Sequence, residues 1–404
     1  MLSAVHTDRS GRVLVSGDYF AAGFDGASIV PLRDTIALPE STRLVPIERD
    51  AEGFDRAGRS RLLARGRWTL AAVLPPGVVR THHPAYREAP SDPPLDPLPY
   101  AAVAADEHGA LRVAALPTGA SDGPGVADLE SAIRNGLRAH PSNRLARQLA
   151  RCARDYACAA ARDAFAGRGI AAVPVASADT PSADTDRRFV APRWRADESP
   201  TERAAFRPTS AEVAEIAVAH IGGGGTGVSF GRACEGEPLG SVRLIEEAIR
   251  RIRASTDRGR IHVETGGSSS AALRRLAAVG LGAVTVRLLT ARADTHDALH
   301  GPAGHRWPDV RATLHAAAEL GLDLEIALLV FPGLTDRPAE LDELTALLRD
   351  LPEARVTPRD LAADPHRTLG LVPSRDSPIG IAAAIARIRR EAPRALPAVP
   401  APVA

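Results

Sequence analysis

Two carboxylates and two glycines stand close together in the segment Val228-Ser-Phe-Gly-Arg-Ala-Cys-Glu-Gly-Glu-Pro-Leu239. The segment follows a predicted strand and precedes a predicted helix, which is where parallel α/β folds build their sites. Gly231 and Gly236 let the backbone approach a ligand closely. Glu235 and Glu237 would lie at a helix N-terminus, which favours negative charge. The residues alone fit a ligand-binding loop and a tight turn with helix-capping acids equally well.

The same segment carries a family resemblance. Phe230-Gly231 followed by Cys234-Glu-Gly-Glu-Pro-Leu239 resembles the second-strand "GGEP" motif of radical S-adenosylmethionine enzymes, of which one bacterial branch has SFGQGCEGEPLL here. The resemblance implies a partial (β/α) TIM-like barrel with an N-terminal extension. In the family this motif holds the amino group of S-adenosylmethionine, a role that would fall to Gly231, Gly236 and Glu237. Further segments that look similar to that branch are the N-terminal start through residue 33 and residues 208–220, 244–253, 256–259 and 329–336.

Other strand ends differ from the family pattern. The third predicted strand ends in Glu264-Thr-Gly-Gly-Ser268 in place of an Asn-Thr-Asn sequence, and the fourth in Arg287-Leu-Leu-Thr-Ala-Arg292 in place of a Ser-Leu-Asn run. The downstream "YYRP" is replaced by Leu299-His-Gly-Pro302. The resemblance places these strand ends against the substrate, so the ancestral reaction is also expected to have changed. No catalytic residue is assigned; the predicted cofactor-binding residues are Phe230, Gly231, Glu235, Gly236, Glu237, Glu264 and Arg287.

The cysteines that hold the family's [4Fe–4S] cluster are missing. The family carries Cys-x3-Cys-x2-Cys after the first strand, and thiolates are needed because soft ligands hold the iron and set its potential. Here Asp179, Ala183 and Asp186 stand at the three positions, and no cysteine lies between positions 158 and 234. Carboxylates are hard ligands, so the cluster expected for the family is predicted to be absent.

The three cysteines of the chain do not rebuild a cluster site. Cys152 and Cys158 are six residues apart on a predicted helix and would point about 240° apart around its axis. Cys234 lies on a different loop. We expect inert thiols at all three positions.

Three hypotheses follow for the function. The first is a degenerate barrel that binds S-adenosylmethionine or a related nucleoside without radical chemistry, alone or with a cluster-bearing protein partner. The second is an active radical S-adenosylmethionine enzyme with unorthodox cluster ligation. The third is a barrel enzyme that uses Glu235, Glu237 and Glu264 as acid–base carboxylates, since carboxylates at strand ends can tune one another.

The histidines are not expected to form a metal site. His296 and His300 are four residues apart, a spacing that can ligate zinc on a helix. No glutamate follows the first of them, and histidines in such loops are commonly at the surface. His82-His83 has no partner residues in the sequence and is predicted to lie at the surface as well. The expectation for metal ligands is therefore none.

Regular alternation of strands and helices begins at residue 209. Thr209 and Glu212 form a capping-box pattern, and Asp336 is predicted to cap a helix that has Pro338 in its first turn. The alternation predicts βαβ units in a parallel sheet, closed as a barrel or open and doubly wound. The predicted divisions are a β-rich N-terminal extension (1–125), a two-helix connector (126–170), the barrel (171–370), and a C-terminal helix with a tail that is expected to be disordered because it is rich in Ala and Pro (371–404).

Composition narrows the classes of partner. The formal net charge is +1, so no field of one sign points to nucleic acid or an anionic membrane. No apolar run is long enough to span a bilayer, and residues 1–17 lack a signal-peptide pattern. Three cysteines argue against a disulfide framework. These features predict a cytoplasmic protein whose partner is a small-molecule ligand.

Overall fold

A computed structural model describes residues 1–96, 98–119, 128–156, 158–175, 204–232, 237–301 and 305–396. The loop predicted at the cluster position and the C-terminal tail lie outside these ranges. Residues singled out above that also lie outside are Asp179, Ala183, Asp186, Cys234, Glu235 and Gly236.

The N-terminal region is built from short antiparallel strands. They are β1 Ser3–Thr7, β2 Val13–Phe20, β3 Ala22–Phe24, β4 Ile29–Pro31, β5 Ile36–Ala37, β6 Arg43–Asp50, β7 Glu52–Phe54, β8 Ser60–Leu62, β9 Trp68–Val73, β10 Val78–Arg80, β11 His83–Pro84, β12 Tyr100–Ala105, β13 Leu111–Val113 and β14 Ala115–Pro117. The largest sheet has the order β5-β13-β12-β9-β1-β2-β7-β8, with β6 also paired to β9. The strands β10-β14 and β11-β3-β4 form two smaller sheets.

The turn sequence Asp106-Glu-His-Gly109 between two strand-like segments predicts a hairpin, and the structure confirms it. Strand β12 pairs with β13 in antiparallel register, Ala104 opposite Arg112. The side chain of Asp106 accepts hydrogen bonds from the backbone N–H groups of His108 and Ala110, both at 3.0 Å. A short acidic side chain that bonds its own turn in this way fixes the connection between the strands.

Three helices connect this region to the parallel sheet: α1 Leu129–Ala139, α2 Arg144–Asp155 and α3 Ala159–Ala166. Asparagine is a favoured helix-capping residue, so Asn143 is predicted to begin a helix. It caps α2 by accepting a hydrogen bond from the N–H of Ala146 at 3.0 Å. The sequence predicted a single helix from there to about residue 165. The chain instead turns, and the N–H of Cys158 bonds to the carbonyl of Cys152. The apolar pattern continues across this turn, so periodicity does not show it.

The parallel sheet has its strands in sequential order. They are β15 Ile170–Ala172, β16 Gly227–Phe230, β17 Arg260–Thr265, β18 Ala283–Leu288, β19 Asp323–Val330 and β20 Arg355–Asp360, each pairing with the next. In a doubly wound sheet the order reverses at a switch point, and the six described strands show no reversal. Same-handed crossovers then put the helices on one face. The protein is thus a mixed α/β chain whose curled sheet fits a partial (β/α) barrel.

The helices after β15 begin with α4 Ser210–Gly222, whose predicted capping box between Thr209 and Glu212 is confirmed. Glu212 also accepts hydrogen bonds from Arg144, which ties α4 to α2. The Arg144 hydrogen bonds, with those of Thr209, lower the pKa of Glu212 to about 2. The others are α5 Val242–Ser255, α6 Ser270–Ala277, α7 Ala293–His300, α8 Trp307–Glu319, α9 Pro338–Asp350, α10 Pro365–Leu371 and α11 Ile381–Glu391, and a 3₁₀ turn spans Pro238–Ser241.

The two faces of the parallel sheet differ in chemistry. Alternate residues of β17 and β18, such as Val263 and Val284, belong to the main hydrophobic core together with the helices. Their neighbours His262 and Glu264 project to the opposite face, because side chains alternate along a strand. The helix-free, concave face of the sheet is therefore the polar one.

The N-terminal region packs closely against the barrel. His83, predicted at the surface, is fully buried, and its Nε2 donates to the carbonyl of Pro332 at 3.1 Å. That prediction was wrong because the covering surface comes from a remote part of the chain. Gly26 and Gly333 face each other so tightly that a Cβ on either would collide with the backbone of the other. None of the described helices is long and apolar enough to cross a membrane.

Candidate functional site

Glu237 lies at the carboxyl edge of the parallel sheet and is 2% exposed. One carboxylate oxygen accepts from Thr265 Oγ1 at 2.6 Å and from the N–H of Leu239 at 3.1 Å. The other oxygen accepts from the N–H of Gly266 at 2.7 Å. Glu237 therefore caps the 3₁₀ turn and joins the loop after β16 to the end of β17. Glu235, the other carboxylate predicted in this loop, lies outside the described residues.

Arg287, at the end of β18, lies between two carboxylates. Its Nη2 is 4.0 Å from Glu237 Oε2, and its Nη1 is 3.8 Å from Glu264 Oε1. The same Nη1 donates to the carbonyl of Gly231 at 3.4 Å. Three of the predicted binding residues thus meet at one guanidinium, although they come from separate segments of the sequence.

The network continues along the concave face to β20. Arg359 Nη1 donates to Glu264 at 3.2 Å, and Arg359 Nη2 donates to Glu325 Oε1 at 2.9 Å. Arg359 and Glu325 are partly exposed, whereas Glu237, Glu264 and Arg287 are buried. The network therefore has an accessible end and an enclosed end. Neither Arg359 nor Glu325 was singled out from the sequence.

The charge of Glu264 is set by this network. Burial alone would raise its pKa, but the guanidinium groups of Arg359 and Arg287 outweigh burial, and the pKa of Glu264 is lowered. Glu264 is thus a carboxylate at neutral pH. Glu237 and Glu264 converge on Arg287 and not on one open ligand position. This arrangement does not favour the hypothesis of paired acid–base carboxylates.

Two predicted binding residues also have structural roles. Phe230 is fully buried in the main core. Gly231 has φ of +83°, and a Cβ there would collide with the carbonyl oxygen of Glu264 and the ring of Pro238. The glycine is required by the close approach of two backbones, whatever ligand lies beside it.

A half-buried histidine that the sequence did not single out, His262, lies beside the network. His262 Nδ1 is 2.7 Å from Ser229 Oγ, and its Nε2 is 2.8 Å from Thr285 Oγ1. Burial lowers the pKa of His262 to about 4, despite the nearby Glu264 carboxylate. The alternation of polar residues within the predicted strands was the available signal, because His262 and Glu264 share one face.

A second cluster of potential ligands was not expected. Helix α7 carries His296 and His300, and His305 lies beside them, with one nitrogen of each ring within 4.8 Å of the others. His296 is 2% exposed, so the prediction of a surface pair was wrong for this residue. It is buried because α7 packs against neighbouring helices. His305 was missed because it follows the helix at no regular spacing.

The two described cysteines lie away from this edge in sequence, on the helices before β15. Cys152 is buried in α2, where Gln148 Nε2 donates to its sulfur at 3.7 Å. Cys158 is partly buried at the start of α3 and packs against the same core. Both positions suit packing thiols.

No protein-family model matches the chain, and no curated protein matches it. Solved structures similar to it include HydG, a maturase of the [FeFe]-hydrogenase, at 16% identity and a TM-score of 0.37, covering 66% of this chain and 64% of HydG. A radical SAM methyltransferase from Sphaerobacter thermophilus is 20% identical, with a TM-score of 0.30, covering 41% of this chain and 55% of that enzyme. The radical S-adenosylmethionine methyltransferase TsrM from Kitasatospora setae is 18% identical, with a TM-score of 0.32, covering 42% of this chain and 32% of TsrM. The chain spans less than two thirds of each.

Proposed function

We propose that the carboxyl edge of the parallel sheet binds S-adenosylmethionine or a related nucleoside, and that it does so without a [4Fe–4S] cluster. The observation that supports this proposal is the network of Glu237, Arg287 and Glu264, which is built from the residues that the family resemblance assigned to ligand binding. It stands at the end of a parallel sheet where such folds bind ligands.

The network has the charges that such a ligand needs. S-adenosylmethionine carries an ammonium, a sulfonium and a carboxylate. The concave face offers carboxylates at Glu264 and Glu325 and a guanidinium at Arg359. We assign the ligand carboxylate to Arg359, the partly exposed arginine of the network, because a guanidinium forms paired hydrogen bonds with carboxylates.

The donor set does not fit an iron–sulfur cluster. The sequence has three cysteines and none between positions 158 and 234. Cys152 is buried in the core, where its sulfur accepts a hydrogen bond from Gln148. A [4Fe–4S] cluster requires several thiolates brought together at one place. The chain alone is therefore not expected to cleave S-adenosylmethionine reductively, and radical chemistry would need a cluster-bearing protein partner.

Calorimetric titration of the full chain tests the ligand. We expect saturable binding of S-adenosylmethionine, S-adenosylhomocysteine or adenosine. In Arg359→Met the affinity for the two compounds that carry a carboxylate should be at least tenfold weaker, whereas adenosine, which has no carboxylate, should bind as it does to the parent. Arg355→Met is the matched control, since Arg355 lies on the same strand but pairs with Asp323 outside the network. Its affinity should stay within about twofold of the parent. No binding of any of the three compounds, or equal loss in both variants, contradicts the proposal.

Anaerobic iron–sulfur reconstitution tests the second part of the proposal, that the chain binds no [4Fe–4S] cluster. We expect no stoichiometric iron, no broad visible absorption, and no 5′-deoxyadenosine when S-adenosylmethionine and a strong reductant are added. A brown protein with several irons per chain that forms 5′-deoxyadenosine would instead establish an active enzyme with unorthodox cluster ligands.

A further inference from the structure

The histidine cluster of α7 has the composition of a metal-binding site. The rings of His296 and His300 stack with centroids 3.9 Å apart, one helical turn from each other. The ring of His305 lies against both, at centroid distances of 5.7 and 5.2 Å. One nitrogen from each ring lies within 4.8 Å of the other two. Three imidazoles therefore border one small volume.

His296 is the member that most needs a partner. Its side chain is 3% exposed, and neither ring nitrogen has a hydrogen-bond partner among the described residues. Asp297 Oδ1 is 3.6 Å from Nδ1, beyond hydrogen-bonding distance. Buried polar atoms are normally satisfied, and an exception calls for an explanation such as a missing ion.

The hydrogen bonding of His300 also suits a metal ligand. His300 Nδ1 lies 3.0 Å from the carbonyl of His296. A carbonyl that accepts from one ring nitrogen fixes the tautomer in which the other coordinates a metal. In His300 that nitrogen would be Nε2.

We propose that His296, His300 and His305 bind one divalent transition-metal ion of the zinc type, with the fourth coordination position open. Imidazole suits Zn²⁺, Co²⁺ and Ni²⁺, whereas Mg²⁺ and Ca²⁺ prefer oxygen ligands. At zinc–nitrogen bonds of about 2.0–2.1 Å, tetrahedral ligand nitrogens stand roughly 3.4 Å apart. The three nitrogens lie within 4.8 Å of one another, so side-chain rotations would have to bring them closer by up to roughly 1.4 Å to reach that spacing.

The metal centre adjoins the carboxylate network. A Cβ on Gly266 would lie 3.0 Å from His305 Nε2 and 3.3 Å from Glu237 Oε2, so both groups border the same point of the backbone. The open coordination position would take water or a donor atom of a ligand bound at the strand ends. Three histidines with one open position form the ligand set of catalytic zinc sites.

Metal titration of the full chain, first freed of metal by a chelator, tests the inference. We expect one equivalent of Zn²⁺ by calorimetry and by elemental analysis, and ligand-field absorption when Co²⁺ replaces it. His300→Gln and His305→Gln should each weaken Zn²⁺ binding by roughly 100-fold. His108→Gln, at an exposed histidine of the N-terminal region, should bind as the parent does.

Folding is monitored separately by circular dichroism of the metal-free variants, so that loss of binding is distinguished from loss of structure. Absence of Zn²⁺ binding in the parent chain, or binding that survives both substitutions, overturns the inference. No nucleoside is added in these titrations. Their outcome is therefore independent of the ligand proposed for the strand ends.

Discussion

Arg80, which is fully buried, and Asp360, whose side chain is 9% exposed, form a pair that joins the N-terminal region to the last strand of the barrel. Both carboxylate oxygens of Asp360 accept from the backbone N–H of Arg80, at 3.1 and 3.2 Å. The guanidinium Nε lies 3.9 Å from the same carboxylate, and Nη2 donates to the carbonyl of Leu361 at 2.5 Å. Strand β10 is thereby fixed against β20.

Replacing Arg80 by Met should destabilise the protein by about 3–5 kcal/mol, because it leaves Asp360 as a largely buried carboxylate without its counter-charge. Urea denaturation at pH 7 measures this difference. The control is Arg56→Met, at an exposed pair with Asp18, which should change stability by less than about 1 kcal/mol. An equal loss of stability in the two variants would show that the burial of Arg80 does not increase the contribution of its ion pair to stability.

Asp336 should make stability fall as pH rises toward neutrality. Burial raises its pKa to about 7, although the backbone N–H of Gly333 donates to Oδ1 at 2.7 Å. Because the folded-state pKa lies above the unfolded value, the stabilisation is complete below about pH 4 and is lost as pH rises through about 7. The whole effect is at most about 4 kcal/mol.

Asp336→Asn removes this dependence while keeping an acceptor for Gly333. We expect the variant to gain stability relative to the parent between pH 4 and pH 7. Denaturation midpoints of both proteins at several pH values measure the difference. Burial also raises the pKa of Asp360 to about 6, but that residue is present in both proteins, so its contribution largely cancels. A difference that stays constant with pH would falsify the assignment.

Gly231→Ala should be far more damaging than Gly58→Ala. Both glycines have positive φ, +83° and +75°, so both substitutions carry the same conformational cost of about 1–2 kcal/mol. Only Gly231 would also place its Cβ against the Glu264 carbonyl, whereas Gly58 has open space around it. We expect poor folding for Gly231→Ala and a small loss for Gly58→Ala, measured by soluble yield and thermal denaturation. Similar losses would mean that β16 and β17 can separate.

His262 should remain neutral through the physiological range. With its pKa lowered to about 4 by burial, its ring should not titrate above about pH 5.5, whereas an exposed histidine titrates near its ordinary value of about 6.5. Histidine ring resonances followed by NMR, assigned by comparison with His262→Gln, measure this. A midpoint near 6.5 would show that the ring is solvated and not held between Ser229 and Thr285.

The barrel was predictable in its regular parts. The helix start at Thr209 follows from a local hydrogen-bond pattern. The third strand of the parallel sheet is predicted over residues 261–265 and is observed at Arg260–Thr265. Both depend on interactions between residues close in sequence. Sequential strand order is a property of pairing, so periodicity left the barrel and the doubly wound sheet equally open.

The candidate site was predictable only in part, for the same reason. Glu264 and Arg287 were identified through the family resemblance, but Arg359, which stands 95 positions after Glu264, becomes its partner only through strand register. The start of α9 shows a local failure. Asp336 was predicted to cap it, yet the cap position is Arg337, and Asp336 bonds back to Gly333.

The contact between Gly26 and Gly333 restricts how this architecture can be rebuilt. The backbone of each glycine leaves no room for a side chain on the other. A clash caused by a substitution at one position therefore cannot be removed by a smaller residue at the other, because glycine is already the smallest. A chimaera that grafts a different N-terminal region onto this barrel therefore has to bring glycine at the position of residue 26. The same holds for a different barrel joined to this N-terminal region, which has to bring glycine at the position of residue 333.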